Sequence, residues 1–89
     1  MKHLVLYTMD TCHHCSQFKE ILKSENLEFM DRDINQFNEE YELFRGAKND
    51  LVPAFMIVDD ETPSQSELFA PEIDFPTLEE AVRIIKERI

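Results

Sequence analysis

The sequence predicts a three-layer α/β/α fold in which a four-stranded mixed sheet lies between helices, with the element order β-α-β-α-β-β-α. Three observations support this class. Short apolar runs alternate with segments of helical periodicity, and two strand-like runs stand next to each other before the last helix. The 89 residues suffice for one compact core but not for two, so we expect residues 1–89 to form a single domain.

The first three elements form a predicted βαβ unit. Residues 3–8, "HLVLYT", are a near-continuous apolar run that is typical of a strand buried on both faces. The next segment has apolar or cysteine side chains at helical spacing: Cys12, Cys15, Phe18 and Leu22. Thr11 is the candidate N-cap of this helix. Residues 27–34 predict a second strand, parallel to the first because a helix crosses between them.

The middle of the chain predicts a second helix and a hairpin. Residues 36–47 carry aromatic side chains at helical spacing, and Gly46 stands near their end, where a C-terminal cap is expected. Residues 53–58 predict the third strand and residues 59–63 a turn. Residues 64–69 predict an edge strand that pairs with the third strand in the antiparallel direction.

The C-terminal segment predicts a third helix over residues 78–89. Thr77 and Glu80 have the spacing of a capping box, in which each residue satisfies a backbone N–H of the other. One face of this helix is an apolar stripe, which consists of Leu78, Val82, Ile85 and Ile89. We find no internal repeat and no linker in the sequence.

Charge and hydropathy exclude several classes of function. The formal net charge of -10 repels phosphate backbones, so we expect no nucleic-acid partner, and acidic membranes are disfavoured for the same reason. The N-terminal apolar run is far shorter than a signal peptide or the roughly 20 residues of a membrane span. We therefore expect a cytoplasmic monomer with no membrane association.

The segment "TCHHC" holds the only two cysteines of the chain, Cys12 and Cys15. In the cytosol thiols are kept reduced, so a close pair there is more often catalytic or metal-binding than a permanent structural disulfide. A structural zinc site needs four ligands, and the side chains of His13 and His14 diverge by about 100° on a helix. A redox centre is thus the favoured interpretation, and we expect no metal in a single chain.

The position of the pair after a strand and at the start of a helix suits dithiol chemistry. Unpaired N–H groups and the positive end of the helix dipole favour a thiolate, which lowers the pKa of a thiol at that position. Cys12 is therefore the predicted nucleophile. Cys15 lies one turn further along the apolar line, and it is the predicted resolving cysteine. His13 and His14, when protonated, are candidates for tuning the redox potential.

The motif "YTMDTCHHC" after the first strand, together with "LVPAFMIV" about 40 residues later, resembles the glutaredoxins and glutaredoxin-like redoxins, which have the thioredoxin fold. The resemblance implies a thiol–disulfide oxidoreductase that reduces protein or small-molecule disulfides. It also implies that Pro53 is cis and faces the cysteines, and that the Val52 backbone pairs with the bound thiol substrate. Val52, Pro53, Tyr7 and His13 are the candidate substrate-binding residues, although the core is the favoured place for Tyr7.

Two departures from the family pattern concern glutathione. Many glutaredoxins have a lysine two or three residues before the first cysteine, where this chain has Met9 and Asp10. They also have a Gly-Gly turn before the last helix, where this chain has "ELFAPEIDF". The Phe69, Pro71 and Glu72 pattern is similar to redoxins that serve ribonucleotide reductase and are recharged by thioredoxin reductase. Either glutathione or thioredoxin reductase is thus the expected electron source, with no bound cofactor.

Two alternatives of another class stay open. Some glutaredoxins hold an iron–sulfur cluster between two subunits, so a cluster or a zinc ion bridged by Cys12 of two copies is the first. The second is a binding module that uses the groove beside Pro53 without catalysis, which would be favoured if either cysteine were missing.

Overall fold

The computed structural model describes residues 2–62, 64 and 66–89. The elements follow the predicted order, which confirms the fold class: β1 Lys2–Thr8, α1 His13–Ser24, β2 Met30–Asp33, α2 Asn38–Arg45, β3 Ala54–Asp59, β4 Glu67–Phe69 and α3 Leu78–Arg88.

The sheet has the strand order β2-β1-β3-β4 and is mixed. β1 and β2 are parallel, as the crossover through α1 requires, whereas β3 is antiparallel to both β1 and β4. Tyr7 of β1 lies opposite Arg32 of β2 and Ala54 of β3. The ends of β1 and β2 and the start of β3 therefore meet at one edge of the sheet, next to the loop that carries the cysteines.

Side chains that alternate along the strands build one core on each face of the sheet. On the first face, Leu4, Leu6 and Phe55 pack with residues of α1 and α3, among them Phe18 and Ile85. On the second face, side chains of β1, β3 and β4 pack with Tyr41 of α2. Two helices on one face and one on the other give the three layers predicted.

β2 is shorter than the 27–34 segment predicted, because the chain first completes a turn after α1. Asn26 has a left-handed φ of 57°, and the Leu27 N–H donates to the carbonyl of Leu22. Leu27 and Phe29 are apolar because they pack against the edge of the first core, not because they belong to a ladder. In the sequence these two apolar residues resemble the start of a strand, but they are apolar because they pack against the core.

The ends of the other elements differ from the prediction by a few residues. Gly46 is the C-cap of α2 with a φ of 58°, as predicted. β4 covers only Glu67–Phe69 of the predicted 64–69. Pro63 and Gln65, which the sequence places in the turn and the edge strand, lie outside the described residues.

The start of α3 has half of the predicted capping box. The Thr77 hydroxyl oxygen accepts a hydrogen bond from the Glu80 N–H at 3.2 Å, which confirms the N-cap. The Glu80 carboxylate pairs with Arg83 one turn further along the helix, at 2.6 Å. This ion pair occupies the carboxylate that the capping box would have directed towards Thr77.

Candidate active site

Cys12 is the N-cap of α1, and the prediction that Thr11 occupies this position is wrong. Cys12 is extended, with φ -91° and ψ 108°, and α1 begins at His13. The Cys12 N–H donates to the Met9 carbonyl at 3.2 Å, which closes a turn that contains Thr11 and removes it from the helix end. The Cys12 sulfur accepts from the Cys15 N–H at 3.1 Å. The sulfur itself therefore receives one of the unpaired N–H groups of the first turn.

Cys15 lies inside α1 and is only 1% exposed, whereas Cys12 is half-buried. The two residues are joined by a disulfide, and their Cα atoms are 5.2 Å apart. Solvent therefore reaches Cys12 but hardly reaches Cys15. The difference in exposure fits the predicted division into attacking and resolving cysteines.

The loop before β3 lies against the cysteine pair. The Val52–Pro53 bond is cis, as the resemblance implies, and Pro53 is buried. The Cys12 sulfur is 3.8 Å from the Val52 carbonyl oxygen. In the disulfide the sulfur has no proton, so this is a contact; in the reduced protein the thiol can donate to the carbonyl. The structure thus brings together Cys12, Cys15, Val52 and Pro53.

The two histidines between the cysteines are exposed to solvent. His14 Nδ1 is 3.3 Å from the Gln17 side-chain oxygen, and the two imidazole rings are 6.0 Å apart. Neither ring is hydrogen-bonded to a cysteine sulfur in the described part of the chain. Their redox tuning, and the role of His13 in substrate binding, stay predictions.

Tyr7 lies beneath α2 and has no exposed surface. Its hydroxyl donates to the Glu40 carboxylate at 2.8 Å, and the same oxygen is 2.5 Å from the Arg32 guanidinium. Burial raises the pKa of the Tyr7 hydroxyl above its ordinary value of about 10, and the Glu40 carboxylate raises it further. Tyr7 is therefore part of the second core, and its role in substrate binding stays a prediction.

The buried Tyr7 hydroxyl should make the protein sensitive to alkaline pH. Because the pKa is higher in the folded state, the contribution to stability is complete below about pH 10 and is lost as the pH rises above it. The free energy of unfolding, from urea titration followed by far-UV circular dichroism, should therefore fall as the pH rises above about 10. Tyr7→Phe should reduce that fall.

Tyr41→Phe is the variant to compare with Tyr7→Phe, because it removes the other tyrosine hydroxyl of this core. Burial also raises the pKa of Tyr41, so this variant should remove a separate part of the fall, and the double variant should remove both. An unchanged fall in Tyr7→Phe would show that its hydroxyl titrates in the folded protein as it does in the unfolded chain.

A groove of about 930 Å³ begins beside the Val52–Pro53 loop and follows α1. One wall is the face of α1 that carries His14, Gln17 and Glu20, and the other wall is formed by residues within 71–79. Pro71 and Glu72 line it, whereas Phe69 is buried and stacks on Phe55. The groove is large enough for a short stretch of extended polypeptide.

Lys48 and Asn49 hold the two sides of the site together, and sequence reasoning missed both. The Lys48 ammonium donates to the Leu68 carbonyl at 2.7 Å and to Asp74 at 2.8 Å. The Asn49 amide donates to the Pro71 carbonyl at 2.7 Å. These bonds fix the wall at 71–79 relative to the Val52–Pro53 loop. No local pattern reveals them, because the partners are far apart in the chain.

Two properties of the described residues concern metal binding and membrane insertion. Residues 2–62, 64 and 66–89 contain no group of three or more His, Cys, Asp or Glu side chains arranged to hold a metal ion. Within the same residues, none of the helices is long and apolar enough to cross a bilayer.

Comparison with known proteins places the chain in a family. The glutaredoxin family model matches residues 4–61, which is well over half of the chain. The matched part runs from β1 to the turn after β3 and includes both cysteines and the cis proline. The chain therefore belongs to the glutaredoxin family, and a thiol–disulfide redox function follows from the family and the Cys12–Cys15 pair. No curated protein gave a significant match.

Proposed function

We propose that the protein is a dithiol oxidoreductase that reduces disulfides of protein clients or small molecules through Cys12 and Cys15. One observation carries the proposal. The Cys12 sulfur is the N-cap of α1, half-buried and in contact with the Val52–Pro53 loop, while Cys15 is enclosed behind it. An N-terminal N–H stabilises a thiolate at Cys12 once the pair is reduced.

The reaction moves two electrons and two protons to the client. The Cys12 thiolate attacks one sulfur of the client disulfide, forms a mixed disulfide and releases the other client sulfur as a thiolate, which takes a proton. Cys15 then loses its proton and attacks the Cys12 sulfur. The second client sulfur leaves and is protonated, and the Cys12–Cys15 disulfide remains. The 5.2 Å between the two Cα atoms permits this second step without movement of α1.

Recharging the disulfide needs two electrons, either from two glutathione molecules or from a thioredoxin reductase with NADPH. We favour the reductase. Met9, 37% exposed, stands where a lysine would hold the glutathione carboxylate, and Glu72 lies in the groove in place of a glycine turn. Loss of one charged hydrogen bond costs about 1.5 to 3 kcal/mol, which is roughly tenfold to a hundredfold or more in affinity.

NADPH consumption with a small disulfide present distinguishes the two donors. Thioredoxin reductase should support turnover, whereas glutathione with its reductase should support it poorly. Met9→Lys should raise the glutathione-dependent rate about tenfold or more and leave the dithiol reaction unchanged. Met30→Lys is the matched control. Met30 is a 50% exposed methionine on β2, and this substitution adds the same charge away from the cysteines.

Rapid turnover of the unmodified protein with low-millimolar glutathione would contradict this choice of donor. Failure with both donors would contradict the proposed oxidoreductase function. Ribonucleotide reductase as a client, and a cluster or zinc ion shared between Cys12 of two copies, stay predictions from the resemblance.

A further inference from the structure

The groove beside the cysteines has an uncompensated negative charge. Three carboxylates line it, Glu20 on α1, Glu72 on the opposite wall and Glu79 at the start of α3, and no Lys or Arg does. All three side chains are exposed, and none of them forms an ion pair with a described residue. His14 is the one lining side chain with a basic nitrogen.

The basic residues near the groove are directed elsewhere. Lys19, next to Glu20 in sequence, has its ammonium 2.5 Å from Asp31 on β2. Lys48 is paired with Asp74, and Lys86 with Glu25. Positive charge on α1 therefore lies on the side facing β2, and negative charge lies on the side facing the groove. A concave surface lined by one sign of charge concentrates the field and favours ligands of the opposite sign.

Building on the proposed oxidoreductase function, we infer that the groove binds an extended segment of a client protein that carries lysine or arginine close to the reactive cysteine. The client cysteine lies at Cys12, and its chain continues along α1 between Glu20 and the 71–79 wall. Glu20 follows Cys12 by eight positions, which is about 12 Å along a helix. An extended chain covers that distance in three to four residues, so the basic residue stands three to four positions from the client cysteine.

Reduction of matched peptide disulfides tests this preference. Three disulfide-bridged peptides differ only at the fourth position from the cysteine, with lysine, glutamine or glutamate there. Reduced protein should react in the order lysine, glutamine, glutamate, with about a tenfold spread at low ionic strength that largely disappears at about 0.5 M salt. Equal rates for the lysine and glutamate peptides at low salt would overturn the inference.

Variants of the protein separate the groove from its overall negative charge. The combined change Glu20→Gln, Glu72→Gln and Glu79→Gln should reduce the lysine-to-glutamate rate ratio about threefold to tenfold. Glu28→Gln removes an exposed carboxylate outside the groove and should leave the ratio nearly unchanged. A Glu28→Gln effect as large, per charge removed, as that of the groove variant would show that net charge, not the groove, sets the preference.

The same assay distinguishes failure of this inference from failure of the proposed function. A protein that reduces none of the peptides, at any salt concentration, is not a disulfide reductase of this kind. A protein that reduces all three equally is one, but its groove does not select for charge. The comparison among peptides needs no variant, so it holds even if the triple substitution destabilises the start of α3.

Discussion

Replacing Cys12 by serine should abolish thiol–disulfide exchange. Cys12 is the sulfur that a client can reach, because Cys15 is only 1% exposed. A hydroxyl in place of the thiol keeps the N-cap acceptor, so α1 should remain folded while the nucleophile is lost. The rate of reduction of a peptide disulfide should fall to that of the uncatalysed reaction, with an unchanged far-UV circular dichroism spectrum as the control.

Cys15→Ser should stop the reaction after its first step. Cys12 still attacks the client, but no thiol is present to resolve the mixed disulfide, so the covalent adduct accumulates. Intact-mass spectrometry should show one client half attached to the protein, released by a small thiol. Absence of the adduct would contradict the proposed two-step reaction. An adduct that forms in Cys12→Ser instead would reverse the assigned roles.

Alkylation of the reduced protein measures the same division of roles without a client. The Cys12 thiol should react with iodoacetamide at lower pH than Cys15, because the α1 N–H groups stabilise its thiolate and solvent reaches it. Faster modification of Cys15 near pH 6 would contradict the assignment.

The order of elements was predictable because apolar periodicity is local. The apolar run at β1 and the stripe on α3 each depend on neighbouring residues. The structure buries most of β1 and, on α3, Val82 and Ile85, whereas Ile89 of the predicted stripe is 52% exposed. The cap of α1 was not predictable in the same way. Thr11 is the better N-cap by residue type, but the Met9–Cys12 turn decides which residue stands at the helix end. That turn is set by how β1 leads into the loop.

The groove depends on contacts that the sequence does not display. Glu20 lies 52 positions before Glu72 and 59 before Glu79, and in the sequence each of the three resembles an isolated solvated charge. They line one surface because Lys48 and Asn49 fix the 71–79 wall next to α1. Their charge is not compensated by Lys19, because the Lys19 ammonium is turned towards Asp31. Pro53 is different, since the family resemblance placed it near the cysteines before the structure did.

An aromatic cluster under the active site connects the elements that carry it. Phe55 follows Pro53 by two residues and is fully buried, with its ring 4.8 Å from Phe69, 5.4 Å from Phe75 and 6.1 Å from Phe18. These partners belong to β4, to the segment before α3, and to the cysteine helix α1. The packing of this ring therefore helps to hold the Val52–Pro53 loop next to Cys12, together with the pairing of β3 with β1.

Phe55→Ala should lower the free energy of unfolding by about 3 to 5 kcal/mol, because it removes a fully buried ring and leaves a cavity. A domain of this size has only about 5 to 13 kcal/mol in total, so much of the protein's stability depends on this side chain. Urea unfolding followed by far-UV circular dichroism measures the loss. Leu43→Ala, at a side chain that is 75% exposed, is the control and should change stability by no more than about 0.5 kcal/mol.

A milder variant keeps this prediction testable if Phe55→Ala does not fold. Phe55→Leu retains part of the buried volume, so it should be destabilised by less than the alanine variant while remaining folded at room temperature. The rate at which Phe55→Leu reduces a peptide disulfide should also fall, because the loop beside Cys12 loses part of its support. The control Leu43→Ala should reduce the peptide at the rate of the unmodified protein. A Phe55→Leu protein as stable as the unmodified chain, or a Phe55→Ala loss below about 1 kcal/mol, would show that this ring contributes little to the stability of the fold.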